Sequence, residues 1–233
     1  VVVRPGAVLR EIAMTALALP PPMPFRLPYG RFLACAVRAL DGLRAELRID
    51  VRHPPETIET ELDAFYRRLR TPGDALSGCA ALPGAPPGLV FRHREADGEH
   101  YVYVEDPARG RLAGYTVFNR LIEVDRRTDR HVRAPHSKYA PAYQGRGIAT
   151  AVYEWALGSG FCLISGARQS AGAYALWRAL GRRHCLGFVA IRDKRMRYLG
   201  AEIEPALRED LHTRMILLGK GWSLQRLRTA GLL

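Results

Sequence analysis

Gln144, Gly145, Arg146, Gly147, Ile148 and Ala149 stand in an order suited to holding a phosphate. Two glycines flanking an arginine let backbone amides close on an anion, and the arginine adds a charge. The apolar residues that follow open a helix, whose first N–H groups have no partner inside the helix and carry the positive end of its dipole. The full run, Tyr139-Ala140-Pro141-Ala142-Tyr143-Gln144-Gly145-Arg146-Gly147-Ile148-Ala149-Thr150, sets this basic turn between an extended apolar segment and an amphipathic helix. Amides from Gly145 to Ala149 would bind the anion, Gln144 would bond the ligand or steady the turn, and Thr150 would offer a hydroxyl. Any side chain at Gly145 or Gly147 would push the anion away.

The elements that must position this turn are legible on both sides. Upstream, Tyr101-Val102-Tyr103-Val104 and Leu112 to Phe118 read as strands, and an extended apolar segment leads into the turn. Downstream, Ala149 to Leu157 reads as a helix with Ile148, Val152, Trp155 and Ala156 on one face. Phe161 to Ile164 reads as a short buried strand, and Ser170 to Leu180 as a second helix ending at Gly181. Leu186 to Ile191 and Arg195 to Leu199 read as a last pair of strands.

The segment Gln144 to Ala149 resembles the Q/R-x-x-G-x-G/A signature with which GNAT N-acetyltransferases hold the pyrophosphate of acetyl-CoA, and it matches at every defined position. The order of strands and helices over about residues 88 to 200 resembles the GNAT core. The resemblance implies an α+β fold, a mixed twisted central sheet flanked by helices. It also implies that the strand before the turn, about Val132 to Ala140, splays from the strand at Phe161 to Ser165, so that the pantetheine arm enters between them and pairs with exposed backbone, Tyr139 and Ala140 included.

The implied activity is transfer of acetyl from acetyl-CoA to a primary amine by direct attack in a ternary complex, since no cysteine or serine has a convincing base partner. The amine must lose a proton, the thioester oxygen needs a donor and the leaving thiolate needs a proton. Ser170-Ala171-Gly172-Ala173-Tyr174-Ala175-Leu176-Trp177 resembles the family's N-x-x-A-x-x-L-Y helix pattern with two departures. Ser170 takes the Asn place, where a cofactor contact is implied, and Trp177 takes the place of the acidic Tyr. Indole cannot serve as that acid, which leaves Tyr174 as the substitute. Glu123, at the end of the apolar run Val117 to Ile122, and His136, whose imidazole titrates near neutral pH, are the candidate bases. His131 is weaker, and Arg168 and Gln169 either contact ligand or order their turn. The acceptor is a protein or peptide lysine or α-amine before a small amine. A CoA- or partner-binding protein without turnover, and a basic nucleic-acid-associated factor, are the alternatives.

The chain has 233 residues and a net charge of +12, with Lys138, Lys194 and Lys220 the only lysines among 35 basic residues. Such a field draws anions, acetyl-CoA among them. No run reaches the ~20 apolar residues of a membrane span. Ile12 to Leu19 is apolar, but Glu11 beside it and the lack of a small-residue cleavage site argue against a signal peptide. Cys35, Cys79, Cys162 and Cys185 form no C-x-x-C pair and no metal-ligand spacing with histidine, so no metal is expected and a reducing cytoplasm fits. Residues 1–87 read as a proline-rich and helical region: prolines interrupt the first thirty or so residues and Phe32 to Leu47 is helix-like, while the resemblance implies a strand and helices before the central hairpin, a role that Leu47 to Val51 and the next helix would fill. Pro55 to Arg70 is a helix with Ile58, Leu62, Phe65 and Leu69 on one face, and Thr71 to Gly88 a loop or domain boundary. The resemblance makes residues 88–200 a GNAT-like catalytic core, and 201–233 read as a helical tail.

Overall fold

The structure is a computed structural model that describes residues 55–233. The proline-interrupted region, the Phe32 to Leu47 helix and the Leu47 to Val51 strand lie outside the described residues.

Helix α1, Pro55–Arg70, takes the span its pattern predicts, with Arg67, Arg68 and Arg70 in its last turn. Leu62, Phe65 and Leu69 are buried and Ile58 packs beside them. Five strands follow: β1 Ala80–Leu82, β2 Val90–Ala96, β3 Glu99–Asp106, β4 Arg111–Asn119 and β5 Val132–Tyr139. They pair as an antiparallel meander. The β2–β3 turn places Asp97 and Gly98 at positive φ, the arrangement that suits the twist of a tight hairpin. Between β4 and β5 lies the one-turn helix α2, Arg126–Asp129, capped by the Asp125 carboxylate.

After β5 come a 3-10 turn at Pro141–Tyr143, helix α3 Ile148–Gly158, strand β6 Cys162–Ile164 and helix α4 Ala171–Leu180. Strands β7 Leu186–Arg192 and β8 Arg195–Gly200 form a hairpin, α5 Pro205–Arg208 is a single turn, and strand β9 Thr213–Leu217 precedes helix α6 Leu224–Thr229. The nine strands lie in the order β1-β2-β3-β4-β5-β6-β9-β7-β8. The fold is α+β with a mixed sheet, in which β5–β6 is the one parallel strand pair among the described residues.

Two expectations are corrected. Residues 201–233 are not a helical tail. Thr213–Leu217 is a wholly buried strand threaded between β6 and β7, so the sheet extends past residue 200. Thr71 to Gly88 is not all loop, because β1 lies within it.

Strand alternation sorts the two faces. Phe65 of α1 packs edge-on against Tyr103 and Tyr115, while Phe118, on the other face of β4, meets Tyr153 and Trp155 of α3. Every β4 residue between its ends is buried, as a strand covered on both faces requires. A second core joins Val132, Cys162, Ile164, Ile216 and Leu227 under α6. Cys162 is a core residue, its thiol pushed up to about 11 by burial.

Candidate active site

Gly145 and Gly147 have φ of +71° and +74°, the left-handed region costly for any residue with a side chain. A Cβ placed at either would meet nothing within 4 Å, so the space beside both is free for ligand oxygens. Gly147 is the N-cap of α3 and supplies no side-chain cap. The amides of Gly145 to Thr150 find no hydrogen-bond acceptor among the described residues. The helix start thus supplies a run of open donors rather than a capped end.

The turn is braced from beneath. The buried Tyr143 donates its hydroxyl to Asp106 Oδ2 at 2.7 Å. Asp106, at the end of β3, also accepts from the amide and the guanidinium of Arg109 at 3.1 and 2.8 Å. These bonds, Tyr143's first, hold the Asp106 carboxyl below the usual range. Arg146 lies over the Tyr143 ring, 5.6 Å from its centre. Gln144 Nε2 donates to the carbonyl of Tyr139 at 2.9 Å, so this side chain serves the turn.

Beside the cradle the sheet opens. Strands β5 and β6 pair only through Val132 with Cys162 and Arg133 with Leu163, although β5 runs on to Tyr139. The Ala140 amide bonds the Ala113 carbonyl. By strand alternation Lys138 and His136 therefore also turn their backbone toward β4, and Tyr139 and Ser137 turn theirs into the gap. Gln144 takes the Tyr139 carbonyl, which leaves the Tyr139 amide and both backbone groups of Ser137 as an open edge. On the α3 face of this strand a hydroxyl chain forms: Thr116 Oγ1 lies 2.8 Å from Ser137 Oγ and 3.1 Å from the Tyr139 hydroxyl, and Ser137 Oγ lies 3.5 Å from Tyr153. Burial raises both tyrosines, Tyr153 to about 12, so both stay protonated.

A cradle at a helix start, next to two parallel strands that part after two residues, is the arrangement the sequence resemblance implies. The chain is similar to GNAT acetyltransferases. A GNAT superfamily phosphinothricin acetyltransferase from Sinorhizobium meliloti, in complex with acetyl-CoA, is 26% identical, with 53% of this chain and 63% of that chain covered and a TM-score of 0.34. A GNAT-family protein from Bordetella pertussis is 22% identical, with 52% and 66% covered and a TM-score of 0.32. A spermidine N-acetyltransferase chimera from Vibrio cholerae is 18% identical, with 52% and 68% covered and a TM-score of 0.31. The chain thus spans under two thirds of the Sinorhizobium protein. No protein-family model and no curated protein matches the sequence.

The GNAT-like arrangement distributes the sequence-nominated residues unevenly. Gly145, Arg146, Gly147, Ile148, Ala149 and Thr150 come together at the cradle, and Tyr139 and Ala140 lead into it. Ser170 caps α4, its Oγ accepting from the Ala173 amide at 3.2 Å. Trp177 is buried with its ring edge-on to Tyr153. Tyr174, 38% exposed on α4, does not pack into the core. His136 is half-buried on β5, on the face that carries Lys138. Glu123, past the end of β4, lies 3.3 Å from the Arg214 guanidinium and lines a cavity with it.

Sequence reasoning missed two residues. Glu61 of α1 accepts from Lys138 Nζ at 3.0 Å and from the Tyr115 hydroxyl at 2.8 Å, which ties the helix to β4 and β5. Arg214 sits in β9, where a helix was expected. A lysine within an apolar strand was the only signal for the first, since Lys138 needs a carboxylate once buried. The second had none.

Proposed function

We propose that this chain is an acetyl-CoA-dependent N-acetyltransferase acting on a primary amine by direct attack. The observation that carries the reading is the run of open amides on two left-handed glycines at the mouth of a gap with a free strand edge. The amides of Gly145 to Thr150 take the pyrophosphate, with Arg146 beside them. The pantetheine arm then crosses the gap along Ser137 and Tyr139, from the α3 face toward the face of α1. There the amine attacks the thioester carbon: the C–N bond forms, the C–S bond breaks and CoA leaves as a thiolate. Glu123 or His136 accepts the amine proton, and the thiolate is protonated by Tyr174 or by solvent. A protein or peptide lysine, an α-amine or a small amine fits this chemistry.

Burial of Trp177 at the place of the usual acid favours a second reading, in which acetyl-CoA is bound without turnover. Calorimetric titration with acetyl-CoA, followed by release of free thiol on adding amines, decides between them. No acetyl-CoA binding by folded protein defeats both, and binding without thiol release against any amine defeats the first. No described helix is long and apolar enough to cross a membrane.

A further inference from the structure

A cavity of about 410 Å³ opens on the sheet face opposite α3 and α4, lined by Glu123, Ile191, Arg192, Asp193, His212 and Arg214. That volume falls in the range of small-molecule pockets, about 300–1,000 Å³. Its walls are fixed. The tip of the β7–β8 hairpin, with Asp193 and Lys194 at φ of 50° and 62°, is tied to the segment after β4. Lys194 Nζ donates to the Ile122 carbonyl at 2.5 Å, the Asp125 amide bonds the Lys194 carbonyl at 3.0 Å, and Val124 bridges Lys194.

The charges are distributed in a way that suits a zwitterion. Arg214 has a side chain only 9% exposed, held by the carbonyls of Leu211 and Thr213 and by Glu123. Its Nε–H and one Nη2–H find no acceptor among the described residues, a fork suited to a carboxylate. Arg192 is neutralised by Asp210 at 2.7 Å. Asp193 makes no ion pair among the described residues, and Glu123 is half exposed beside it in the lining. Two carboxylates, one of them bonded to Arg214, thus line the same cavity as the guanidinium. Arg214 also precedes Met215, whose amide is held at 3.0 Å by Ser165 Oγ, just past the end of β6 at the edge of the gap.

We propose that this cavity is the acceptor site and that it selects a small amine bearing its own carboxylate, a free amino acid. Arg214 holds the carboxylate, and Glu123 with Asp193 receives the ammonium. The inference rests on the acetyltransferase reading. The product is the N-acetyl amino acid: one C–N bond replaces the thioester C–S bond, CoA leaves as the thiol, and the ammonium gives up two protons, one to balance the thiolate and one to solvent by way of Glu123.

The test compares L-amino acids with their carboxamides, which keep the amine and lose the negative charge. Saturation-transfer NMR on the full chain without acetyl-CoA reads the cavity, and thiol release with acetyl-CoA reads turnover. For the preferred side chain, the acid form is expected to exceed its carboxamide by about tenfold or more in kcat/KM, the size of one lost charge-assisted bond pair. Arg214→Gln should bring the acid-to-carboxamide ratio in kcat/KM down toward one, chiefly through the KM of the acid. Should Arg214→Gln fail to fold, the acid-to-amide ratio on the unaltered chain decides alone, with Asp193→Asn at an exposed turn expected to weaken acid and amide alike. Equal use of acids and carboxamides, a preference for simple alkylamines, or no NMR contact with any amino acid would overturn the proposal. Acetyl-CoA titration is read separately. If the cofactor binds and the acid preference is absent, only this inference fails; if the cofactor does not bind, the parent reading fails while the NMR arm still judges the cavity.

Discussion

Replacing Gly147 with alanine separates the two things this residue does. The backbone must sit at φ of +74°, which costs an alanine about 1–2 kcal/mol. Alanine also restricts the unfolded chain and returns about 0.4–1 kcal/mol. The net loss of stability is therefore about 1 kcal/mol, a fall of roughly 2–4 °C in Tm for a domain of this size. No neighbour adds a steric penalty, because the new Cβ meets nothing within 4 Å. Ligand binding should suffer far more. A methyl group in the space beside the amides displaces the pyrophosphate from two or so charge-assisted bonds, each worth about 1.5–3 kcal/mol. The dissociation constant for acetyl-CoA should rise by about a hundredfold or more. Calorimetry with acetyl-CoA, beside a melting curve of the same sample, checks both numbers. Unchanged affinity in a protein that melts a few degrees lower refutes the cradle, because it shows that Gly147 serves only the turn.

Other perturbations have similarly defined outcomes. Tyr143→Phe removes one donor from the buried Asp106 and should cost about 1–3 kcal/mol in urea denaturation while weakening acetyl-CoA binding, since the turn loses its brace. Glu61→Gln leaves the buried Lys138 ammonium without its carboxylate and should cost about 3–5 kcal/mol, whereas adding Lys138→Met should recover most of that loss; a double variant no more stable than the single one counts against the pairing. His93 and His100 stack with Nε2 and Nδ1 3.1 Å apart, and burial lowers both pKa values. Their folded values lie below the unfolded 6.5, so the stability they contribute is complete above that pH and is lost as pH falls through the folded values. Melting temperature should drop on acidification from pH 7 to 5, and His100→Phe should flatten the slope.

The legible part of the molecule was the part whose signals are local. Pro55–Arg70 carries its apolar stripe and terminal charges in sequence, and it forms as read. The cradle needs glycines at two positions, and nothing else in the chain can substitute for that requirement. Strand β9 was misread because Thr213–Leu217 is a short run buried on both faces, whose hydrophobicity is the same for helix and strand. Its identity comes from β6 and β7, between which it fits. Arg214 was hidden with it. Tyr174 and Trp177 show the converse limit: their helix was legible, but which ring turns inward depends on Tyr153, contributed by α3.

The place of β9 also sets an order of events during synthesis. Strands β6 and β7 do not pair with each other; each pairs with β9, which is made after both. The antiparallel meander up to β5 has its partners in hand as it leaves the ribosome, one hairpin at a time. The second half of the sheet must wait, with two apolar strand edges open, until Thr213–Leu217 emerges and closes them. Pairing over such sequence distance is slow and exposes edges to other chains. Aggregation of newly made protein should therefore be governed by this half, and destabilising β9 should lower soluble yield more than equal damage to β2 or β3.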